Sequence, residues 1–438
     1  MPDPRRSTPR TDHVLADPRL EEPLARLGRP LVKQAVVAAL DRCRSGEVAP
    51  TEVADVVLSS LPASATSMRR VVNATGVIVH TNLGRAPLSA AAVDAVTVAA
   101  GATDVELDLA TGRRGRRGRS AMAALAAAVP LAEAVHVVNN GAAALALVTN
   151  AFAQGRTVVV ARGEMVEIGD GFRIPELVEA AGGRLREVGT TNRVHLSDYE
   201  RAVDDDTAFV LKVHPSNFVV RGFTSSVPVA GLATLPVPVV ADIGSGLLRP
   251  HPRLPDEPSA AAALGDGAAL VTASGDKLLG GPQCGLVLGR ASLVEVLRRH
   301  PLARAMRVDK LTLAALEATL TGPPTPVAQA LATLPTALRD RAARVVDALD
   351  GVVEASVVSS EGAVGGGGAP EVSLPSAAVA LPEALAPALR LCTPAVVGRV
   401  EQGRLLLDLL AVAPEDDVAL VEAVRRAAAG PEGFPTCT

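Results

Sequence analysis

Two apolar runs, residues 268–271 and 286–288, flank a polar turn within Val271-Thr-Ala-Ser-Gly-Asp-Lys-Leu-Leu-Gly-Gly-Pro-Gln-Cys-Gly285. The pattern predicts strand, tight turn, strand. It fixes Lys277 at the end of a buried strand, beside Asp276. Lysine is scarce in this chain of 438 residues and occurs only as Lys33, Lys212, Lys277 and Lys310. An ammonium group is costly to bury unless it is paired or gives up its proton. Two readings stand at this point. Lys277 is a turn lysine paired with Asp276, or it is an amine kept for a Schiff base with a carbonyl cofactor.

Two further stretches add to the second reading. Val237-Pro-Val-Pro-Val-Val-Ala-Asp-Ile-Gly-Ser-Gly246 is an apolar strand that ends on Asp242. A carboxylate there, one strand unit before a lysine, is the pattern of pyridoxal phosphate enzymes, in which the acid faces the pyridine nitrogen. Val135-His-Val-Val-Asn-Asn-Gly-Ala-Ala-Ala144 reads as a strand, a polar turn and the start of an Ala-rich helix. Free N–H groups at that helix start suit a phosphate. The candidate cofactor contacts are therefore Asn140, Gly141, Ala142 and Ser274, with Asp242 and Lys277. Their order is phosphate cradle, acid, lysine, as in the aminotransferase-type fold.

Length allows two or three domains with sizeable cores. A net charge of −4 demands no nucleic acid, and no Trp, one Tyr and six Phe make base stacking an unlikely means of recognition. Cys43, Cys284, Cys392 and Cys437 lack metal-ligand spacing and suggest reduced thiols in a cytoplasmic protein. No metal site is expected. The N-terminus has no apolar signal core, and no run approaches the roughly 20 residues of a membrane span.

In chain order, residues 1–13 read as a disordered tail and 14–67 as a helical module. Arg26, Arg29, Lys33, Arg42 and Arg44 lie in that module as an RNA-facing side or a solvated helix face. Residues 68–321 are expected to form a large domain that opens with the strand at 71–74. A turn carrying Arg85 follows it. Gly112-Arg-Arg-Gly-Arg-Arg-Gly-Arg119 reads as a basic loop lining an anionic site. Apolar runs at 157–160, 208–213, 237–241 and 269–273 alternate with helical stretches, the sequence form of a doubly wound α/β sheet. Residues 302–320 read as one long helix with Arg304 and Arg307 on one face. A Pro-rich hinge precedes a small α/β domain over 322–438.

Several segments together resemble the bacterial selenocysteine synthases, the L-seryl-tRNA(Sec) selenium transferase family. They include Asn73-Ala-Thr-Gly-Val-Ile-Val-His-Thr-Asn-Leu-Gly-Arg85, Val213-His-Pro-Ser-Asn-Phe218, Ser274-Gly-Asp-Lys-Leu-Leu-Gly-Gly-Pro-Gln283 and Arg307-Val-Asp-Lys-Leu-Thr-Leu-Ala-Ala-Leu-Glu317. The resemblance spans nearly the whole chain. It implies a pyridoxal phosphate enzyme of fold type I with Lys277 as the cofactor lysine and Asp242 facing the ring nitrogen. Asp276 is a candidate acid. Arg85, Arg304 and Arg307 would line the pocket for an oxyanion donor, selenophosphate. The reaction implied turns Ser-tRNA(Sec) into selenocysteinyl-tRNA(Sec) through a cofactor-bound aminoacrylyl-tRNA. The N-terminal helices would hold the tRNA, and dimers would assemble in a ring, a decamer. Where the family often has Leu-Asp-Leu-Arg, this chain has Leu407-Asp-Leu-Leu410, which leaves Arg399 as a candidate substrate-facing cation. Two alternatives remain: a related pyridoxal phosphate lyase for a free amino acid or amino sugar phosphate, and an RNA-binding protein on a dead catalytic fold.

Overall fold

The structure, a computed structural model, describes residues 7–165, 167–169 and 171–430. Among the described residues of the N-terminal module are helices α1 (Thr11–Leu15), α2 (Glu21–Leu27), α3 (Arg29–Ser45) and α4 (Val53–Ser60). Val32, Val36, Ala39, Leu40 and Cys43 form a buried stripe on α3 at helical spacing. Val14, Leu15, Leu20, Leu27, Val53 and Val57 close over it, so the module has its own apolar core. Residues 11–13, expected in the tail, are helical instead. Thr11–Leu15 is helical because Val14 and Leu15 have this stripe to bury against. Residues 1–6 of that expectation, and Cys437, lie outside the described residues.

The body is built on two larger sheets, of seven and five strands, beside two small two-stranded pairs. Strand β1 (Val71–Ala74) comes first in the chain, and β2 (Ala134–Val138), β3 (Thr157–Ala161), β4 (Arg184–Val188) and β5 (Thr207–Val213) follow. Next are β6 (Val239–Gly244), β7 (Leu270–Ser274) and β8 (Gly285–Gly289). The larger sheet has the order β2-β8-β7-β6-β5-β3-β4. Strands β3 to β7 run parallel, and β8 is antiparallel to both of its neighbours. Every residue of β3, β7 and β8 is buried, which is why they read as continuous apolar runs. The fold is the expected doubly wound α/β arrangement, and the carboxyl ends of β2 and β5–β7 share one edge.

Strand β1 differs from the expectation. It does not open the large sheet; it pairs in parallel with a C-terminal strand, Val71 opposite Ala395. The second sheet also contains β9 (Ser356–Ala363), β10 (Ser373–Pro382), β11 (Ala395–Glu401) and β12 (Arg404–Asp408), in the order β1-β11-β12-β10-β9. Val72 and Ala74 alternate inward onto the core under this sheet.

The long helix expected over 302–320 is broken. Helix α5 (Gly141–Ala153) lies earlier in the chain; α6 (Pro301–Ala305) and α7 (Lys310–Thr321) flank the break. The Asp309 side chain accepts from Thr312 N at 2.7 Å and starts α7. The Met306 and Val308 carbonyls accept from Asn139 N and the Arg117 guanidinium instead of from a helical turn.

Candidate active site

Lys277 follows β7 in a turn closed by Gly280 N donating to the Lys277 carbonyl at 2.9 Å. Its side chain is buried. Among the described residues, no carboxylate comes within ion-pair distance of its Nζ. Asp276, the pairing partner in the first of the two readings of Lys277, instead accepts from Arg85 Nη1 at 2.7 Å. Asp242 at the end of β6 accepts from Thr272 Oγ1 at 2.9 Å. Burial lowers the Lys277 proton affinity; the negative charge of Asp242 opposes it, and Arg85 adds to it. Burial likewise raises the Asp242 pKa, against the Thr272 bond and the Lys277 charge.

The phosphate cradle expected at β2 takes shape at α5. The Asn140 side chain caps the helix, accepting from Ala143 N at 2.7 Å. Gly141 and Ala142 are its first residues. A Cβ added to Gly141 would sit 2.6 Å from Ser274 Oγ, so only glycine leaves that gap open. Loop 365–368, which connects β9 and β10, closes over the lysine. A Cβ on Gly367 would lie 3.1 Å from Lys277 Nζ and 3.5 Å from Ser216 Oγ, and its φ of +83° also favours glycine.

The arginines divide. Arg85 holds a left-handed backbone (φ 66°), and its neighbour Ala86 donates to the Asp276 carbonyl, so this turn is tied to the lysine turn. Arg304 is exposed on α6, and Arg307 lies beyond the helix end with Glu106 3.8 Å away. They do not share a helix face. The Met306–Asn139 bond nonetheless fixes this segment beside the Asn140 turn. Arg399 is committed elsewhere. It donates to the Thr75 carbonyl (2.7 Å) and to buried Asp408 (3.0 Å), and it bonds Ser360. The expected substrate-facing cation is an internal tie of the second sheet. Leu410 is buried in that sheet's core. In the basic loop, Arg114 and Arg117 pair with Glu106, while Arg119 lies 3.8 Å from Asp108. In the N-terminal module, Arg26 pairs with Glu22, Arg29 with Asp12, Arg42 with Glu47 and Arg44 with Asp41; Lys33 is exposed.

Sequence reasoning missed three groups. His214 and Ser216 stand in the Val213–Phe218 motif, and their polar types after a buried strand were the available signal. Glu257 had none. Its buried carboxylate pairs with His214 Nε2 (3.2 Å) and accepts from Ala369 N (2.6 Å), pinning the glycine loop. Glu257 Oε1 and Ser245 Oγ are buried without a hydrogen-bond partner among the described residues. A cavity of about 550 Å³ runs past Glu164, Lys212, His214, Asp242 and Glu257. Cys284 is buried, and its thiol is pushed up to about 12, which suits packing rather than reaction. No group of three or more His, Cys, Asp or Glu is placed to hold a metal ion among the described residues, and none of their helices is long and apolar enough to cross a membrane.

An open parallel sheet with an acid and a lysine at adjacent strand ends and a smaller C-terminal sheet is the aminotransferase-like, type I fold of pyridoxal phosphate enzymes. The solved structure of a D-glucosaminate-6-phosphate ammonia-lyase shares it, with a TM-score of 0.58 and 20% identity over 83% of this chain and 96% of that one. The chain belongs to the L-seryl-tRNA selenium transferase family, whose model matches residues 71–413; a selenocysteine synthase N-terminal model matches residues 5–44. The L-seryl-tRNA(Sec) selenium transferase of Geobacter sulfurreducens is 42% identical, covering 96% of this chain and 98% of its own. That of Hyphomonas neptunium is 41% identical over 97% and 98%.

Proposed function

We propose that this chain converts L-seryl-tRNA(Sec) to L-selenocysteinyl-tRNA(Sec), with selenophosphate as selenium donor and pyridoxal 5′-phosphate held at Lys277. One observation carries the reading: in a chain of this family, Lys277 is buried, with no carboxylate in ion-pair distance among the described residues, one strand from Asp242. The residues fit the cofactor. The gap kept open by Gly141 beside Ser274 lies at the start of α5, where N–H groups suit a phosphate, and Asp242 suits a ring nitrogen. Bound there, pyridoxal phosphate supplies a carbonyl for an amine and an electron sink for the substrate α-carbon.

The protein's own groups do the rest. Burial keeps the Lys277 amine available as nucleophile and then as base for the α-proton. Asp242, removed from water, gains by sharing a proton with the ring nitrogen. The seryl C–O bond breaks and the hydroxyl leaves as water. A C–Se bond then forms at the β-carbon as a proton returns to the α-carbon, and water attacks phosphorus as the Se–P bond breaks, so the phosphoryl group departs as phosphate. Arg85, Arg304 and Arg307 supply charge-assisted donors to the selenophosphate oxygens. Asp276 is already committed to Arg85, which favours a histidine over Asp276 as the acid for the departing hydroxyl. His80 and His214 are the candidates; His80 Nδ1 is buried and unpartnered among the described residues.

Residues 14–67 hold the tRNA body, the assembly is a ring of dimers, and the enzyme works in the cytoplasm with its tRNA. The paired arginines of the module make Lys33 and any arginine that trades its acid for a phosphate the contacts to test. Turnover of Ser-tRNA(Sec) against free serine, with selenophosphate, decides the reading. Free serine reacting equally well would favour a lyase. A variant lacking residues 1–67 should keep its yellow colour and lose tRNA affinity; unchanged affinity and salt dependence would remove the module's role.

A further inference from the structure

Composition predicts little base stacking, yet the structure concentrates what aromatic surface there is. Two of the six phenylalanines stand on one loop: Phe218 lines the cavity that reaches Asp242, and Phe223 lies beside Thr224, which also lines it. Phe223 is 85% exposed, and Phe218, Val219 and Val220 are about two-fifths exposed beside it. The Arg193 guanidinium lies over the Phe223 ring, 5.9 Å from its centroid. The loop backbone is braced. Asn192 Nδ2 donates to the Phe223 carbonyl at 2.6 Å, Ser225 N donates back to the Asn192 carbonyl, and Arg221 bonds Glu371 beyond the glycine loop. A held backbone thus keeps apolar rings in water, an arrangement that marks a contact surface.

We propose that this loop, with Arg193, is a stacking platform for the unpaired 3′ end of the tRNA. The proposal rests on the function above. The seryl group is carried on the last nucleotide of a single strand, and a duplex is too wide to follow it into a cavity of about 550 Å³. Unpaired bases are held by flat apolar faces and by cations over them. Phe218 and Phe223 offer the faces. Arg193 offers the cation, because among the described residues no carboxylate pairs with it. Asn192 and Ser225 line the same cavity with polar groups for base edges.

The test uses the full-length, cofactor-loaded protein and uncharged tRNA(Sec), either intact or trimmed of its unpaired 3′ nucleotides. The wild type should prefer intact tRNA by on the order of tenfold or more for each stacked base. Phe218→Ala/Phe223→Ala should lose that preference and bind intact tRNA as the wild type binds trimmed tRNA. Visible absorbance and particle mass should not change. Phe218→Leu/Phe223→Leu should lose the preference too, since leucine is apolar but not flat. A preference retained by either double variant overturns the platform. A change in particle mass also overturns it and makes the loop an interface between copies. Equal wild-type binding of both RNAs sinks this proposal alone, whereas wild-type binding of neither sinks the selenium transferase reading with it.

Discussion

Lys212 and Lys277 stand at the carboxyl ends of strands in one sheet, with β6 between them, and their surroundings treat them oppositely. Lys212 Nζ bonds Glu164, whose other oxygen accepts from Val213 N at 3.0 Å. Burial raises the Glu164 pKa, and the Lys212 charge resists it, so the two groups settle each other. Around Lys277, each nearby acid has another partner: Asp276 has Arg85, Asp242 has Thr272, and one oxygen of Glu257 has His214 and Ala369. A lysine at a strand end is therefore not yet a reactive one. What marks Lys277 is the removal of its partners inside a buried site.

The largest test of this contrast is on chemistry. Lys277→Ala should abolish the visible absorbance of lysine-bound cofactor and reduce turnover by about 10³-fold or more. Lys212→Ala should keep the absorbance. Borohydride labelling of Lys212 or Lys310 in the loaded wild type would reverse the assignment.

The next test is on stability. Glu164→Leu removes the carboxylate from the partly buried Lys212 ammonium and should cost up to about 3–5 kcal/mol in urea unfolding of the cofactor-free protein. Adding Lys212→Met should recover most of it, because the pair is then replaced by apolar groups. Lys277→Met breaks no pair and should not destabilise the cofactor-free protein. A loss there comparable to Glu164→Leu would erase the distinction between the two lysines.

How far the sequence reaches follows from the same physics. Strands β3 and β5–β7 are legible because buried parallel strands leave apolar runs, and Asp242, Lys277 and Asn140 are legible because polar residues end those runs. The sheet membership of β1 is not, since Val71 pairs with Ala395, far along the chain. The break after Ala305 had a signal in Asp309, a helix cap ahead of Lys310-Leu-Thr-Leu, but the Asn139 and Arg117 bonds that fix it are tertiary. Arg399 is a motif-position cation whose partner, Asp408, becomes visible only when β11 and β12 lie side by side. Glu257 and Gly367 reach the site across the fold; the Gly365–Gly368 run reads as a loop, but neither its approach to Lys277 nor that of Glu257 is local.

A smaller effect tests the cradle that belongs to Lys277 and has no counterpart at Lys212. Gly141→Ala improves helix propensity by roughly 0.5–1 kcal/mol, yet its Cβ would sit 2.6 Å from Ser274 Oγ. Cofactor affinity by dialysis should fall about tenfold, the effect of a displaced phosphate contact of ~1.4 kcal/mol. Ser274→Ala beside it should relieve the crowding but not the lost hydroxyl. An unchanged affinity in Gly141→Ala would show that the gap beside Ser274 holds nothing.

The smallest effect is on protons. The Lys277 ammonium faces Asp242, Asp276 and Glu257, which favour its charge, and Arg85, which opposes it; burial outweighs them and lowers its pKa. Unfolded, the same amine keeps its proton up to about 10.4. Between the folded and the unfolded pKa the unfolded chain therefore binds more protons, so this group's contribution to stability rises with pH across that window. Below the window both states are charged, and the folded protein carries the full cost of a buried, unpaired ammonium. Lys277→Met removes that cost. Its stability gain over the wild type should be greatest below the folded pKa and shrink as pH rises toward the ordinary lysine value. Reductive methylation of the cofactor-free wild type should likewise label Lys277 with a midpoint below the ordinary lysine range. A stability difference that does not vary with pH, together with an ordinary labelling midpoint, would mean that Lys277 is as well paired as Lys212.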